Sequence, residues 1–243
     1  MKKLIALFTL TFIMLSSASY AEEFSKAQKA EIQKMFKEYI LNNGETIIES
    51  VESYQVKKEE ESRKQSDKKA ASFMKEIEDN KNLPMTGNAD GDITLLEFFD
   101  YNCGYCRRAL EEINKVLEKD DQLKVIFLDM PILGASSMDV SKWSLAAHEQ
   151  GKYFEYHQAL LNHNGQKTNK VIEDLAKKVG LDFEQLKKDK NSKEIADTLN
   201  KNVTQAQEMG IRGTPGFIID GKVYPGYMPA ARIEQIIKDA RAE

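Results

Sequence analysis

Cys103 and Cys106 are the only two cysteines in 243 residues, and they lie three apart where a strand pattern hands over to a helix pattern. Residues 93–99 form a short apolar run of strand length. Residues 107–119 then repeat apolar side chains at helical spacing through Leu110, Ile113, Val116 and Leu117. A second strand-like run, 123–128, is stopped by Pro131. Strand, Cys-x-x-Cys, helix, strand predicts a parallel pair joined by a βαβ crossover.

Each part of that arrangement has a chemical consequence. A helix start presents unpaired N–H groups and the positive end of the helix dipole, which favours thiolate over thiol at Cys103. The thiolate is the nucleophile in disulfide exchange. Arg107 and Arg108 in the first turn add positive charge where they point that way. Cys106, one turn in, is placed to attack a mixed disulfide formed at Cys103. Two other uses of such a pair exist. Half of a zinc site would need two more ligands from His148, His157 and His163, which make no tight pair. A structural staple would close a very small loop and remove little unfolded-state entropy.

The N-terminus speaks for compartment. Met1-Lys2-Lys3 is a basic start, residues 4–15 carry no charge, and Ser19 and Ala21 suit the positions before a cut. This is the three-part pattern of a cleaved export signal over residues 1–21. Twelve residues reach about 18 Å as a helix, short of a hydrocarbon core of about 30 Å. A periplasmic destination after cleavage at about Ala21 is therefore expected, where disulfides persist. The formal charge of −4, with both signs mixed through the chain, argues against nucleic acid as a partner.

Residues 22–82 read as helical. Phe24, Ile32, Met35, Phe36, Tyr39 and Ile40 share one face, and Asn42-Asn43-Gly44 breaks the pattern. Ile47, Ile48, Val51 and Tyr54 follow, and then ten charged residues among the thirteen of 57–69, read as a solvated helix or a connector. Apolar faces on helices this charged must be covered by the rest of the chain or by another copy of it. From residue 83 the pattern changes. Pro84, Gly87, Asn88, Asp90 and Gly91 mark a loop. Residues 136–209 read as almost wholly helical, and Asp220-Gly221 joins two short strand runs as a hairpin. Residues 229–241 close as a helix. Trp143, Tyr153, Phe154 and Tyr156 are expected in the core of the helical stretch, and the three histidines on the surface or on helix faces. No glycine-rich phosphate loop is present, so no bound cofactor is expected.

Glu97-Phe98-Phe99-Asp100-Tyr101-Asn102-Cys103-Gly104-Tyr105-Cys106, with Gly213-Thr214-Pro215-Gly216-Phe217 far downstream, resembles the DsbA family of thiol-disulfide oxidoreductases. The resemblance covers residues 83–243 and implies an α/β thioredoxin-like fold with a helical insertion at about 136–209. It implies Cys103 as the attacking cysteine and Cys106 as the resolving one. Pro215 would be a cis-proline facing the pair and docking substrate backbone, and Thr214 would touch Cys103. Gly104 and Tyr105 would border the substrate. Glu97 would be a buried acid that takes the proton of Cys106; the other reading puts it on the wet side of its strand. Gly104-Tyr105 between the cysteines and Thr before the proline look more like the DsbC-type isomerases, which dimerise through an N-terminal region. Residues 22–82 resemble the N-terminal extensions of oligomeric relatives by layout.

The function so implied is exchange of disulfides in cysteine-containing protein substrates, with isomerase ability. It needs a membrane redox partner and a homodimer or homotrimer built through residues 22–82. A dithiol oxidase recharged by a membrane quinone-linked partner and a non-catalytic chaperone are the alternatives.

Overall fold

In the computed structural model the described residues are 23–78, 80 and 82–242. The expected export segment, residues 1–21, lies outside them. The elements run α1 (Lys26–Asn42), α2 (Gly44–Ile77), β1 (Met85–Gly87), β2 (Ile93–Phe99), α3 (Gly104–Leu117) and β3 (Leu123–Asp129). Five helices follow: α4 (Ala135–His148), α5 (Tyr153–Asn162), α6 (Asn169–Lys178), α7 (Phe183–Asp189) and α8 (Lys193–Glu208). Then come β4 (Gly216–Ile219), β5 (Lys222–Pro225) and α9 (Ala230–Ala240). The compact units divide between Val56 and Lys57, inside α2.

The first unit is α1 and the start of α2. A reciprocal cap opens α1: the Gln28 backbone N–H donates to Ser25 Oγ, and the Ser25 N–H donates to Gln28 Oε1 at 2.9 Å. Asn43 ends it, where the sequence breaks. No side chain of α1 is buried, and Phe24, Met35, Phe36, Tyr39, Ile40, Ile48, Val51 and Tyr54 are all exposed. The charged run 57–69 is continuous helix rather than a flexible connector.

In the second unit the sheet order is β1-β3-β2-β4-β5. β2 and β3 pair in parallel, as the βαβ reading requires, and the other neighbours are antiparallel. Alternation along β2 decides what each face carries. Leu95 and Phe99 face the layer that holds α3, α5 and α9, with Cys106, Leu110, Ile113, Tyr156 and Ile233. Leu96 and Phe98 face the opposite layer, which is made by Ala206 of α8 and by Ala70, Phe73 and Ile77 of α2. The domain boundary expected at residue 83 is therefore placed too late: the second half of α2 completes the sheet's own core. Phe73 stacks on Phe98 with ring centroids 6.3 Å apart, and the Val223 N–H donates to Asp67 at 2.9 Å.

Two further differences from the sequence reading have plain causes. β1 falls where Pro84, Gly87 and Asn88 predict a loop; three residues are too few to show an alternation, and their partner in β3 is distant in sequence. His157 is fully buried rather than on the surface, because it shares a helix face with Tyr153, Tyr156, Leu160 and Leu161. The β4–β5 turn is as expected, with Asp220 (φ 50°) and Gly221 (φ 69°) both left-handed. A side chain at Gly221 would come within 2.9 Å of the Ala71 methyl group.

Candidate functional site

Sheet register places the site. β4 runs antiparallel to β2 with Gly216 opposite Phe98, so the two residues before Gly216 pass alongside the end of β2, where the chain turns towards Cys103. The Thr214–Pro215 peptide there is cis. The Cys103 thiol donates to the Thr214 carbonyl at 3.2 Å, and the Gly226 N–H donates to the Pro215 carbonyl at 2.9 Å.

The turn between β2 and Cys103 is held from several sides. The buried Asp100 carboxylate accepts from the Asn102, Ile132 and Leu133 N–H groups and from the Ser137 hydroxyl, at 2.7–2.9 Å. Its carbonyl accepts from the Cys103 N–H at 3.0 Å. Tyr101 is buried; its hydroxyl bonds Ser144 and sits 3.0 Å from His157 Nδ1, while its carbonyl accepts from Lys167 at 2.9 Å. Sequence reasoning gives Asp100 no role and weighs His157 only as a zinc ligand or a surface or helix-face residue, not as the partner of Tyr101. A polar Asp-Tyr-Asn directly after an apolar strand was the available signal for the first.

Cys103 is the N-cap of α3, and its sulfur accepts from the Cys106 N–H at 3.4 Å. The Cys106 thiol, the Thr214 side chain and the backbone N–H groups of Cys106 and Tyr105 all favour the thiolate. Against partial burial they bring the Cys103 pKa down to about 6. Cys106 is fully buried and pushed far up, first by burial, then by its bond to Cys103 and by the charge of Glu97. One sulfur is thus ionised at neutral pH while its neighbour keeps its proton. Because the Cys106 thiol is the largest influence, Cys106→Ala is expected to move the Cys103 midpoint upward. Alkylation of Cys103 with iodoacetamide across pH 4–9 reads this, and an unmoved midpoint near 6 would contradict it.

Glu97 lies on the α3 side of β2, with Leu95 and Phe99, and is fully buried rather than wet. Neither carboxylate oxygen has a hydrogen-bond partner among the described residues. Burial first, and then the charge of Cys103, raise its pKa well above the carboxylate range. Gly104 and Tyr105 are exposed at the mouth. Tyr105 lies 6.4 Å from Tyr227, ring to ring, with the Arg108 guanidinium 4.2 Å from the Tyr105 centroid and 5.5 Å from that of Tyr227. Arg107 turns to the Asn164 side chain. Arg108, named from sequence for its charge, turns to these rings, and Tyr227 is not singled out from sequence; only the fold brings the second residue after β5 to the start of α3. Two of the three histidines are not brought to the cysteines: His148 bonds the Asn82 carbonyl, and His157 sits behind Tyr101, while His163 lines the cleft beside Cys103. Among the described residues no group of three or more His, Cys, Asp or Glu side chains is gathered around a common point.

A sheet of this order, a cysteine pair at a strand-to-helix junction, a facing cis-proline and a five-helix insertion define a DsbA-like thioredoxin fold. The chain belongs to the DSBA-like thioredoxin domain family, which matches residues 94–238. Residues 28–61 match the copper resistance protein ScsC N-terminal domain. A thioredoxin-like oxidoreductase from Silicibacter pomeroyi is 35% identical, with a TM-score of 0.66 over 69% of this chain and 96% of that one. Proteus mirabilis ScsC in a transitional conformation is 27% identical, with a TM-score of 0.65 over 90% of this chain and 97% of that one. A periplasmic thioredoxin-like protein from Salmonella enterica serovar Typhimurium is 25% identical, with a TM-score of 0.64 over 70% of this chain and 97% of that one. The chain spans 26% of the length of the curated relatives it matches first, Na(+)/H(+) antiporter NhaA 1 proteins of Mycobacterium strains, at 28% identity over 160 residues. No described helix is long and apolar enough to cross a membrane.

Proposed function

We propose that the chain is an exported thiol-disulfide oxidoreductase that exchanges disulfides in folding proteins and can isomerise wrong ones. The observation that carries the reading is the split of the pair: Cys103 at about 6, Cys106 far above. The Cys103 thiolate attacks one sulfur of a substrate disulfide. That S–S bond breaks, the other substrate sulfur leaves with the electron pair, and a mixed disulfide forms. For isomerisation the freed substrate thiolate attacks elsewhere, Cys103 is expelled as thiolate, and nothing is oxidised or reduced overall. Otherwise Glu97 takes the Cys106 proton and Cys106 attacks Cys103. The substrate then leaves as thiol, and the protein holds the Cys103–Cys106 disulfide. A membrane redox partner resets the pair. The Thr214–Pro215 loop docks substrate backbone, and the exposed Tyr105, Gly104 and Tyr227 border it. Periplasmic location is supported by the Salmonella relative and by the basic-apolar-small pattern of residues 1–21.

Isomerase ability is tied to self-association through residues 22–82. The support is the match of residues 28–61 to the ScsC N-terminal domain and the unburied stripe of α1. Burying a Phe or Ile side chain contributes about 1.5–3 kcal/mol, so a handful in each copy sustains an oligomer. The test is reactivation of scrambled ribonuclease by the full chain beside Phe36→Glu/Ile40→Glu, with mass measured by light scattering. The double variant is expected to be monomeric and to lose isomerisation while still oxidising a reduced peptide. If the parent oxidises the peptide but never reactivates ribonuclease, the dithiol oxidase reading replaces this one. A truncation at residue 83 is the wrong tool, because it strips Ala70, Phe73 and Ile77 from the core.

A further inference from the structure

Beside Cys103 opens a cleft of about 180 Å³ whose walls come from the start of α3 and from the loop between α5 and α6. Its charged side chains are Arg107 of α3 and Lys167 of the α5–α6 loop, His163 of the same loop also lines it, and no Asp or Glu does. This runs against the balance of a chain with 39 acids and 35 Lys and Arg. We propose that this cleft is a specificity subsite that receives a carboxylate side chain next to the cysteine of a polypeptide substrate. The inference rests on the thiol-exchange reading of Cys103 and deepens it by naming a substrate class.

Both cations are held in place yet keep donors to spare. Arg107 commits Nη1 to the Asn164 side chain, and a guanidinium has five N–H donors in a fork that suits a carboxylate. Lys167 commits one of its three donors to the Tyr101 carbonyl at 2.9 Å. Among the described residues neither has a carboxylate at salt-bridge distance. The acid that acts on Lys167, Asp100, is already engaged by four donors. Burial and the neighbouring Arg107 both disfavour the Lys167 charge. An incoming carboxylate relieves that repulsion. The cleft shares Cys103 and Gly104 with the site, so a side chain within a residue or two of the attacked sulfur reaches it. Its walls do not include the Thr214–Pro215 loop, so backbone docking and side-chain selection use different surfaces.

The test uses three end-blocked peptides, each with one cysteine flanked by Asp, Ser or Lys and activated as a mixed disulfide with 4-thiopyridine, an uncharged leaving group. The Cys103 thiolate attacks the peptide sulfur, thiopyridine departs with the electron pair, and Cys106 then expels the peptide thiolate. Rates are taken at pH 8 and low salt, and each is divided by the rate with 2-mercaptoethanol to remove intrinsic reactivity. An ion pair of this exposure supports a preference for Asp over Lys of about 2–5-fold. The preference is expected to fall towards one with added salt and in Lys167→Gln, to invert in Arg107→Glu, and to return in Lys167→Arg. Only ratios are read, so a general loss of rate in a variant drops out. A parent ratio of one overturns the proposal, as does a preference that survives both Lys167→Gln and Arg107→Glu. Failure of the Ser peptide to react at all sinks the exchange reading instead.

Discussion

Cys103→Ser is expected to lose disulfide exchange down to the rate without protein, and Cys106→Ala to stall with substrate attached through Cys103. Mass spectrometry after acid quench separates the two outcomes. Exchange surviving in Cys103→Ser would remove the attacking role from this sulfur. Magnitudes show what the lowered pKa of Cys103 is for. At pH 7 a thiol of pKa 6 is about 90% thiolate and an ordinary one a few per cent, a gain of about 30-fold. Nucleophilicity falls with pKa along a slope of about 0.4–0.5, which returns about 10-fold of that. Attack therefore gains little. The larger benefit is as a leaving group, since a sulfur of low pKa is expelled readily from a mixed disulfide. A site with that property would let go of substrates, as the proposed exchange requires. The attack rate is expected to be level above pH 7 and to fall about tenfold per unit below pH 6.

Glu97→Gln is expected to slow release of the bound substrate by about 100-fold, the usual scale for losing a placed proton acceptor. Quenched single-turnover release at pH 8 reads it; release as fast as the parent's would remove Glu97 from the mechanism. Stability is expected to move the other way. The folded pKa of Glu97 is raised, so above about 4.5 the unfolded chain gives up its proton first and the fold loses stability as pH rises. The loss runs at up to about 1.4 kcal/mol per unit until the folded pKa is passed. Glu97→Gln removes that limb and is more stable than the parent at neutral pH. Asp129, buried and raised to about 7, shapes the same range in both proteins. The difference between the two urea-denaturation curves across pH therefore isolates Glu97. A buried acid with no hydrogen-bond partner among the described residues costs stability, and the charge of this one acts on Cys106.

Local signals explain what could be read in advance. β2 was legible as a run of apolar residues, the β4–β5 turn from Asp220-Gly221, and the cysteine pair from its place at the strand-to-helix junction. What escaped depended on partners far along the chain. β1 is three residues long and exists because β3 pairs with it. Ala70, Phe73 and Ile77 stand at helical spacing, yet only the fold shows that they cover Leu96 and Phe98. The burial of Glu97 follows from the alternation of β2 once α3 is known to cover that face. Tyr227 and Lys167 reach the cysteines through the hairpin and the insertion, which no periodicity reports.

The anchoring of the Asp100–Asn102 turn has a consequence for protein engineering. Its fastenings come from Ile132, Leu133, Ser136, Ser137, Ser144, His157 and Lys167, all of which follow β3. Cys-Gly-Tyr-Cys grafted onto a bare thioredoxin scaffold would arrive without the part that aims it. The smallest transplantable module is the chain from Asp100 through Lys167, and trimming the insertion to shrink the protein would blunt the cysteines before it unfolded the sheet.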